Sequence, residues 1–162
     1  MSSTGRFTTI TLRPHPLQFV IDELIMMVLC LSALAYGGMD DYLSTESMYI
    51  GLSMLVFLIY KYVKLRRTVY TITGEQLKKA EGVFTRDDDY IELYRVIDFA
   101  ERKNLLQQLF GLKTVTIMSG DKTTPKLCVQ GVKEDFDLVT IIRERVEFTK
   151  SQKSIYEITN RY

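Results

Sequence analysis

Two uncharged stretches dominate the pattern of apolar and polar positions along this chain. From Leu24 to Met39 no charged residue occurs, and Leu24-Ile-Met-Met-Val-Leu-Cys-Leu-Ser-Ala-Leu-Ala-Tyr36 is apolar on every helical face, which suits lipid better than the one-sided burial of a soluble helix. A second run, Ser47 to Tyr60, continues past Lys61 into Tyr62 and Val63, and the stem of Lys61 is long enough to return its ammonium to an interface. Each run alone is shorter than the ~20 residues that cross a bilayer. The first gains that length from Leu17 to Ile21 and the second from Tyr62, Val63 and Leu65, which leaves Asp22 and Glu23 at a headgroup boundary. The connection from Gly37 to Glu46 has three acidic residues, two glycines and no Lys or Arg. That composition marks a short solvated turn, so the pattern predicts an antiparallel transmembrane hairpin over 17–66, preceded by an N-terminal segment, 1–16.

After Arg67 the period changes. Thr68 to Thr73 alternates and stops at Gly74, and Leu77 to Thr85 forms a second strand interrupted by Gly82. Arg86-Asp-Asp-Asp89 reads as a charged turn before a third strand, Tyr90 to Phe99, with Ile91, Leu93, Arg95 and Ile97 on one face. Asn104 to Gly111 has a helical turn's spacing, and Lys113–Met118 and Lys126–Gln130 alternate again around the turn-rich Ser119–Pro125. From Lys133 to Phe148, Phe136, Val139, Ile142 and Val146 recur at three- and four-residue steps opposite Asp135, Asp137, Arg143, Glu144 and Glu147. This is an amphipathic helix that must bury one side, followed by a polar tail, 149–162. Together these predict an α+β soluble domain over 67–148, its sheet closed by the last helix.

Charge then orients the hairpin. Arg6 and Arg13 precede the first run, and Lys61, Lys64, Arg66 and Arg67 follow or close the second, so the positive-inside rule puts both termini in the cytoplasm. Over the whole chain 21 basic and 20 acidic residues nearly cancel, which gives no electrostatic basis for binding nucleic acid. Two cysteines, Cys30 and Cys128, and a single histidine, His15, fit neither a disulfide framework nor a zinc site. Ala33-Leu34-Ala35 resembles a signal cleavage site, but Asp22 and Glu23 stand where a signal peptide is basic.

Four segments, Tyr70-Thr-Ile-Thr-Gly-Glu75, Gly82-Val-Phe-Thr-Arg86, Ile91-Glu-Leu-Tyr-Arg-Val96 and Leu105-Leu-Gln-Gln-Leu-Phe-Gly-Leu112, resemble the bacterial PH-like domain of YdbS-like membrane proteins. A fifth, Asp121-Lys-Thr-Thr-Pro125, looks like the turn of one branch of that family. The resemblance implies a transmembrane hairpin followed by a pleckstrin-homology-like, partly open, seven-stranded antiparallel β-barrel capped by a C-terminal helix, in a bacterial inner membrane. It brings no catalytic residue and no cofactor.

No phosphate loop, metalloprotease pair or nucleophile elbow occurs, so no catalytic, cofactor-binding or metal site is assigned. Asp87, Asp88 and Asp89 lack the ligand register of a calcium loop. The one candidate binding set is the juxtamembrane cluster Lys61, Lys64, Arg66 and Arg67, where anionic headgroups attract basic residues by ~1 kcal/mol each. The expected role is a membrane-anchored interaction module that binds a protein partner or assembles with copies of itself. The alternative is recognition of anionic lipid through those four residues.

Overall fold

The computed structural model describes residues 7–39, 42–121 and 123–159. Arg6, the turn acids Asp40 and Asp41, Lys122 and the end of the tail from 160 lie outside the described residues. A short strand, β1 (Ile10–Leu12), precedes two long helices, α1 (Leu17–Gly37) and α2 (Ser44–Arg67). Then follow β2 (Val69–Ile72), β3 (Gln76–Glu81), β4 (Asp87–Glu92), a 3-10 turn at Leu93–Arg95, β5 (Val96–Arg102), α3 (Leu105–Leu109), β6 (Leu112–Ser119), β7 (Lys126–Lys133) and α4 (Leu138–Thr159).

The two long helices form an antiparallel pair, each long and apolar enough to cross a membrane. Small residues set their closeness, as is common where helices pack without a hydrophobic driving force. A Cβ on Gly51 would stand 2.8 Å from the side chain of Leu34, the Cys30 thiol donates to the Gly51 carbonyl at 3.4 Å and Ser47 Oγ donates to the Ala33 carbonyl at 2.8 Å. Ser32 and Ser53 each return their hydroxyl to the carbonyl three residues back, both at 2.8 Å. The outer faces stay bare: Ile25, Val28, Leu29, Leu31, Met48, Ile50, Val56 and Ile59 are among the exposed apolar side chains. A soluble core helix would bury them.

The strands form two open antiparallel sheets, ordered β1-β2-β3-β4 and β5-β6-β7. The two sheets are separate ladders among the described residues and do not close into the expected barrel. Seven strands do occur, the seventh being β1, which the sequence pattern missed. It pairs with β2 through Ile10–Ile72 and Leu12–Tyr70. The long apolar hairpin is therefore the connection between two neighbouring strands of one sheet.

The single third strand is also corrected. Alternation holds through Ile91, but the 3-10 turn advances the chain by three residues, so Ile91, Leu93 and Val96 are buried and Ile97 is 73% exposed. That phase change moves the chain from the first sheet to the second. The acidic trio likewise belongs to β4 and not to a turn, with Asp87, Asp88 and Asp89 facing Glu81, Ala80 and Lys79 of β3.

Between the sheets and α4 lies one core: Ile72, Leu77, Ile91, Leu93, Val115, Ile117, Leu127 and Val129 from the strands, with Leu138, Ile142 and Val146 from the helix. α4 starts at Leu138, five residues later than expected, because β7 runs on to Lys133 and Phe136 lies in the turn between them. Of the expected stripe, Ile142 and Val146 are buried, Phe136 and Val139 only partly, and the helix continues to Thr159, into the stretch expected to be a tail. Arg145, on the same stripe, is only 3% exposed. Its guanidinium donates to the carbonyls of Ile72 and Thr73 at 2.9 Å and of Thr8 at 2.8 Å. It thus ties α4 to the end of β2 and to the chain entering β1, and burial pulls its pKa below the usual arginine value.

Candidate functional site

The base of the helix pair is where the hairpin and the sheets meet. α2 ends at Arg67 and is capped by Thr68, whose hydroxyl donates to the Lys64 carbonyl at 3.0 Å, and the chain enters β2 at the next residue. Lys64, Arg66 and Arg67 fill the last helical turn, where positive charge complements the helix dipole. α1 is fixed at its start by the His15 N–H, which donates to the Gly131 carbonyl of β7 at 3.0 Å. Gly131 has φ +65°, and a Cβ there would lie 2.9 Å from the His15 nitrogen. Only glycine meets both demands without strain.

One turn further, a buried polar chain joins α1 to the second sheet. Gln107 Nε2 donates to Gln18 Oε1 at 3.0 Å and to Thr114 Oγ1 at 2.9 Å, while Gln18 Nε2 donates to Asp22 Oδ1 at 2.8 Å. Gln107 Oε1 accepts from the Asn104 N–H at 3.0 Å, which fixes the start of α3. Both glutamines are 2% exposed, and their amides are paired as buried polar groups require.

Between the two legs opens a cleft of ≈ 220 Å³ lined by Asp22, Glu23, Lys61, Lys64, Lys79 and Glu81, with Tyr70 and Gln130 at its floor. Its charges are balanced, three acidic and three basic. Lys61 Nζ meets Glu23 Oε1 at 3.0 Å and Lys79 Nζ meets Glu81 Oε2 at 2.8 Å. Tyr70 is 2% exposed, and desolvation of its phenol raises the pKa to about 12.

The four basic residues expected to act together are divided. Lys61 and Lys64 turn into the cleft. Arg67 turns the other way, donating from Nη1 to the Val83 carbonyl at 3.2 Å and lining a second cavity of ≈ 410 Å³ with Val83, Phe84 and Arg86. Arg66 is exposed and lines neither. The structure instead brings Asp22 and Glu23 opposite Lys61 and Lys64, a juxtaposition the sequence reading did not draw. The signal in the sequence was the antiparallel hairpin itself, which brings the acidic start of α1 beside the basic end of α2; the Phe19–Tyr62 register puts Glu23 within one turn of Lys61, a distance its side chain spans. The acidic trio gathers no cation site: Asp88 pairs with Lys78 at 2.9 Å and Arg86 at 3.2 Å, and no acidic, histidine or cysteine cluster suited to a metal occurs among the described residues. The Lys78 hydrogen bond holds the Asp88 carboxyl below its usual pKa.

Compared with known proteins, residues 18–154 match the family model described as Bacterial PH domain. The matched region takes in both long helices as well as β2 to β7 and most of α4. No curated protein and no solved structure matches the chain.

Proposed function

This chain belongs to the bacterial PH domain family, and from that premise we propose that it is a membrane-anchored interaction module whose hairpin spans the bilayer and holds the domain on the cytoplasmic face. The bacterial PH domain is a non-catalytic interaction fold, consistent with no enzymatic activity. The observation that carries the anchoring is the bare apolar surface of α1 and α2. Of the most apolar stretch of each, only 6% and 11% is buried, so no protein surface among the described residues covers what water disfavours.

The interaction surface on this reading is a sheet edge. β4 is an edge strand carrying Asp87, Asp88 and Asp89, a charge density that discourages strand addition. β5 is one of the two edges of the second sheet and exposes Ile97, so it suits a partner strand from another protein or from a second copy. Crosslinking in native membranes followed by mass spectrometry tests this: crosslinks at Asp98, Glu101 and Arg102 to a partner or a second copy are expected. A monomer without partners, or a chain that stays in solution without detergent, would overturn it.

A second reading, binding of anionic lipid, draws support from Lys64 and Arg66, neither of which is in an ion pair among the described residues, whereas Lys61 is held by Glu23. Replacing Lys64, Arg66 and Arg67 by glutamine should then abolish the preference for phosphatidylglycerol over phosphatidylcholine vesicles. An unchanged preference would dismiss it.

A further inference from the structure

The β3–β4 connection is built to hold one apolar ring in the open. Gly82 turns the chain with φ +130°, and a Cβ at that position would fall 1.7 Å from the Thr85 carbonyl oxygen, so the loop is tight and has one geometry. Arg67 Nη1 binds the loop at the Val83 carbonyl at 3.2 Å, tying it to the last turn of α2. Between these two constraints stands Phe84, 93% exposed. Among the described residues its one aromatic neighbour is Tyr60 of α2, with the rings nearly parallel at 10° and their centroids 6.3 Å apart.

That contact fixes the depth of the loop. Tyr60 precedes Arg67, the last residue of α2, by seven positions, which at 1.5 Å per residue is about 10 Å along the helix axis. The loop therefore rises beside the outer face of α2, past the basic turn and up to the beginning of the apolar stretch. Tyrosine and tryptophan collect at this level of a membrane, and phenylalanine is among the side chains that interfacial segments bury at the headgroup–acyl boundary. The same loop carries Arg86, which lines the cavity with Arg67 of the last turn of α2, so basic groups flank the ring on the side of the helix end.

We propose that the β3–β4 loop is a second membrane contact, with Phe84 inserted among the lipids at the acyl–headgroup boundary beside Tyr60. This rests on the reading of α1 and α2 as a transmembrane hairpin. The occupant of the surface is lipid, because Phe84 continues the apolar outer face of α2 and reaches it at the interfacial level. The contact presses the first sheet toward the bilayer on the α2 side and, with the linkage of α1 to β7 on the other side, limits how the domain can tilt.

The chain contains no tryptophan, so single-tryptophan variants report position without background. Phe84→Trp and, separately, Tyr60→Trp would be made in the full chain and reconstituted in vesicles of phosphatidylcholine and phosphatidylglycerol, with acyl-chain-brominated lipid as one quencher and iodide as the other. The expected result is that both tryptophans emit at short wavelength, lose emission to brominated lipid and are protected from iodide. If Tyr60→Trp behaves so while Phe84→Trp emits at long wavelength and is quenched by iodide alone, the loop contact is wrong and the hairpin stands. If both are quenched by iodide and neither by brominated lipid, the transmembrane reading fails and the loop contact with it.

Discussion

Removing the Arg145 guanidinium tests whether α4 and the N-terminal strand are stapled as the structure implies. A hydrogen bond from a charged donor contributes about 1.5–3 kcal/mol, so the three carbonyl contacts of Arg145 bound the loss at roughly 5–9 kcal/mol. The bonds to Thr73 and Thr8 are only partly buried, and water can replace the guanidinium there. The bond to the Ile72 carbonyl is buried, and an orphaned acceptor in such a place costs about 1–3 kcal/mol. Arg145→Ala is therefore expected to destabilise the domain by about 2–4 kcal/mol, a fall of roughly 10 °C or more in Tm for a domain of this size. Arg145→Lys should lose less than alanine but still fall well short of the native chain, since a single ammonium does not reproduce the planar fork that reaches two segments. The assay is thermal unfolding of the full chain in detergent, joined to amide hydrogen exchange. The distinguishing signal is faster exchange at Ile10–Leu12 than at the β6–β7 pair, because only β1 depends on the Thr8 contact. Unaltered Tm together with unaltered exchange in β1 would refute the reasoning.

The buried Tyr70 phenol predicts an alkaline sensitivity. Its folded pKa of about 12 lies above the ordinary value of 10, so the unfolded chain loses the proton first, and stability that is full below pH ~10 declines as pH rises toward ~12, by up to roughly 3 kcal/mol. Tyr70→Phe should flatten that part of the pH–stability curve, measured by denaturant unfolding, and a curve identical to the native one would exclude Tyr70 as the cause. Gly82→Ala forces a side chain into the Thr85 carbonyl at a positive φ; a loss on the order of 1–3 kcal/mol or more is expected, with new backbone exchange confined at first to the β3–β4 loop. Gly131→Ala should weaken the hold of β7 on the start of α1, seen as faster exchange of the His15 amide with little change at the Cys30–Gly51 helix contact.

The elements legible in the sequence are those whose partners are near in the chain. The hairpin, the β6–β7 pair and the buried stripe of α4 all follow from local periodicity. The break at Leu93–Arg95 does not, since Leu93, Tyr94 and Val96 are all good strand formers and no Gly or Pro marks the change of phase. Nor does β1, whose partner β2 lies beyond the entire hairpin, so no local pattern connects them. Arg145 was within reach: it falls three positions after Ile142 and seven after Leu138, on the apolar stripe, where an arginine must find buried acceptors. The split of the basic cluster was legible only in part: Arg66 falls nearly opposite Lys64 on a 3.6-residue helix, but Arg67 lies three positions after Lys64 as Lys64 does after Lys61, and what turns it away is the Val83 carbonyl of a distant loop.

The insertion of the hairpin between β1 and β2 has a mechanical consequence. Paired antiparallel strands hold Leu12 and Tyr70 within about 4.5–5.5 Å, so the sheet delivers the two ends of the hairpin side by side, close to the 8–10 Å at which helices pack. Thr68 alone separates α2 from β2, which leaves no length for a flexible linker on that leg. The other leg is fixed by the His15–Gly131 bond and the Gln18–Gln107 amides. A tethered domain on a loose linker would sample many orientations and gain only local concentration. Here both legs enter the same folded unit, so the direction of α1 and α2 sets the direction of the sheets. On the proposal that the hairpin spans the bilayer, the β5 edge is then held at a fixed angle to the membrane, and a second copy anchored in the same membrane would present its own β5 edge at the same angle.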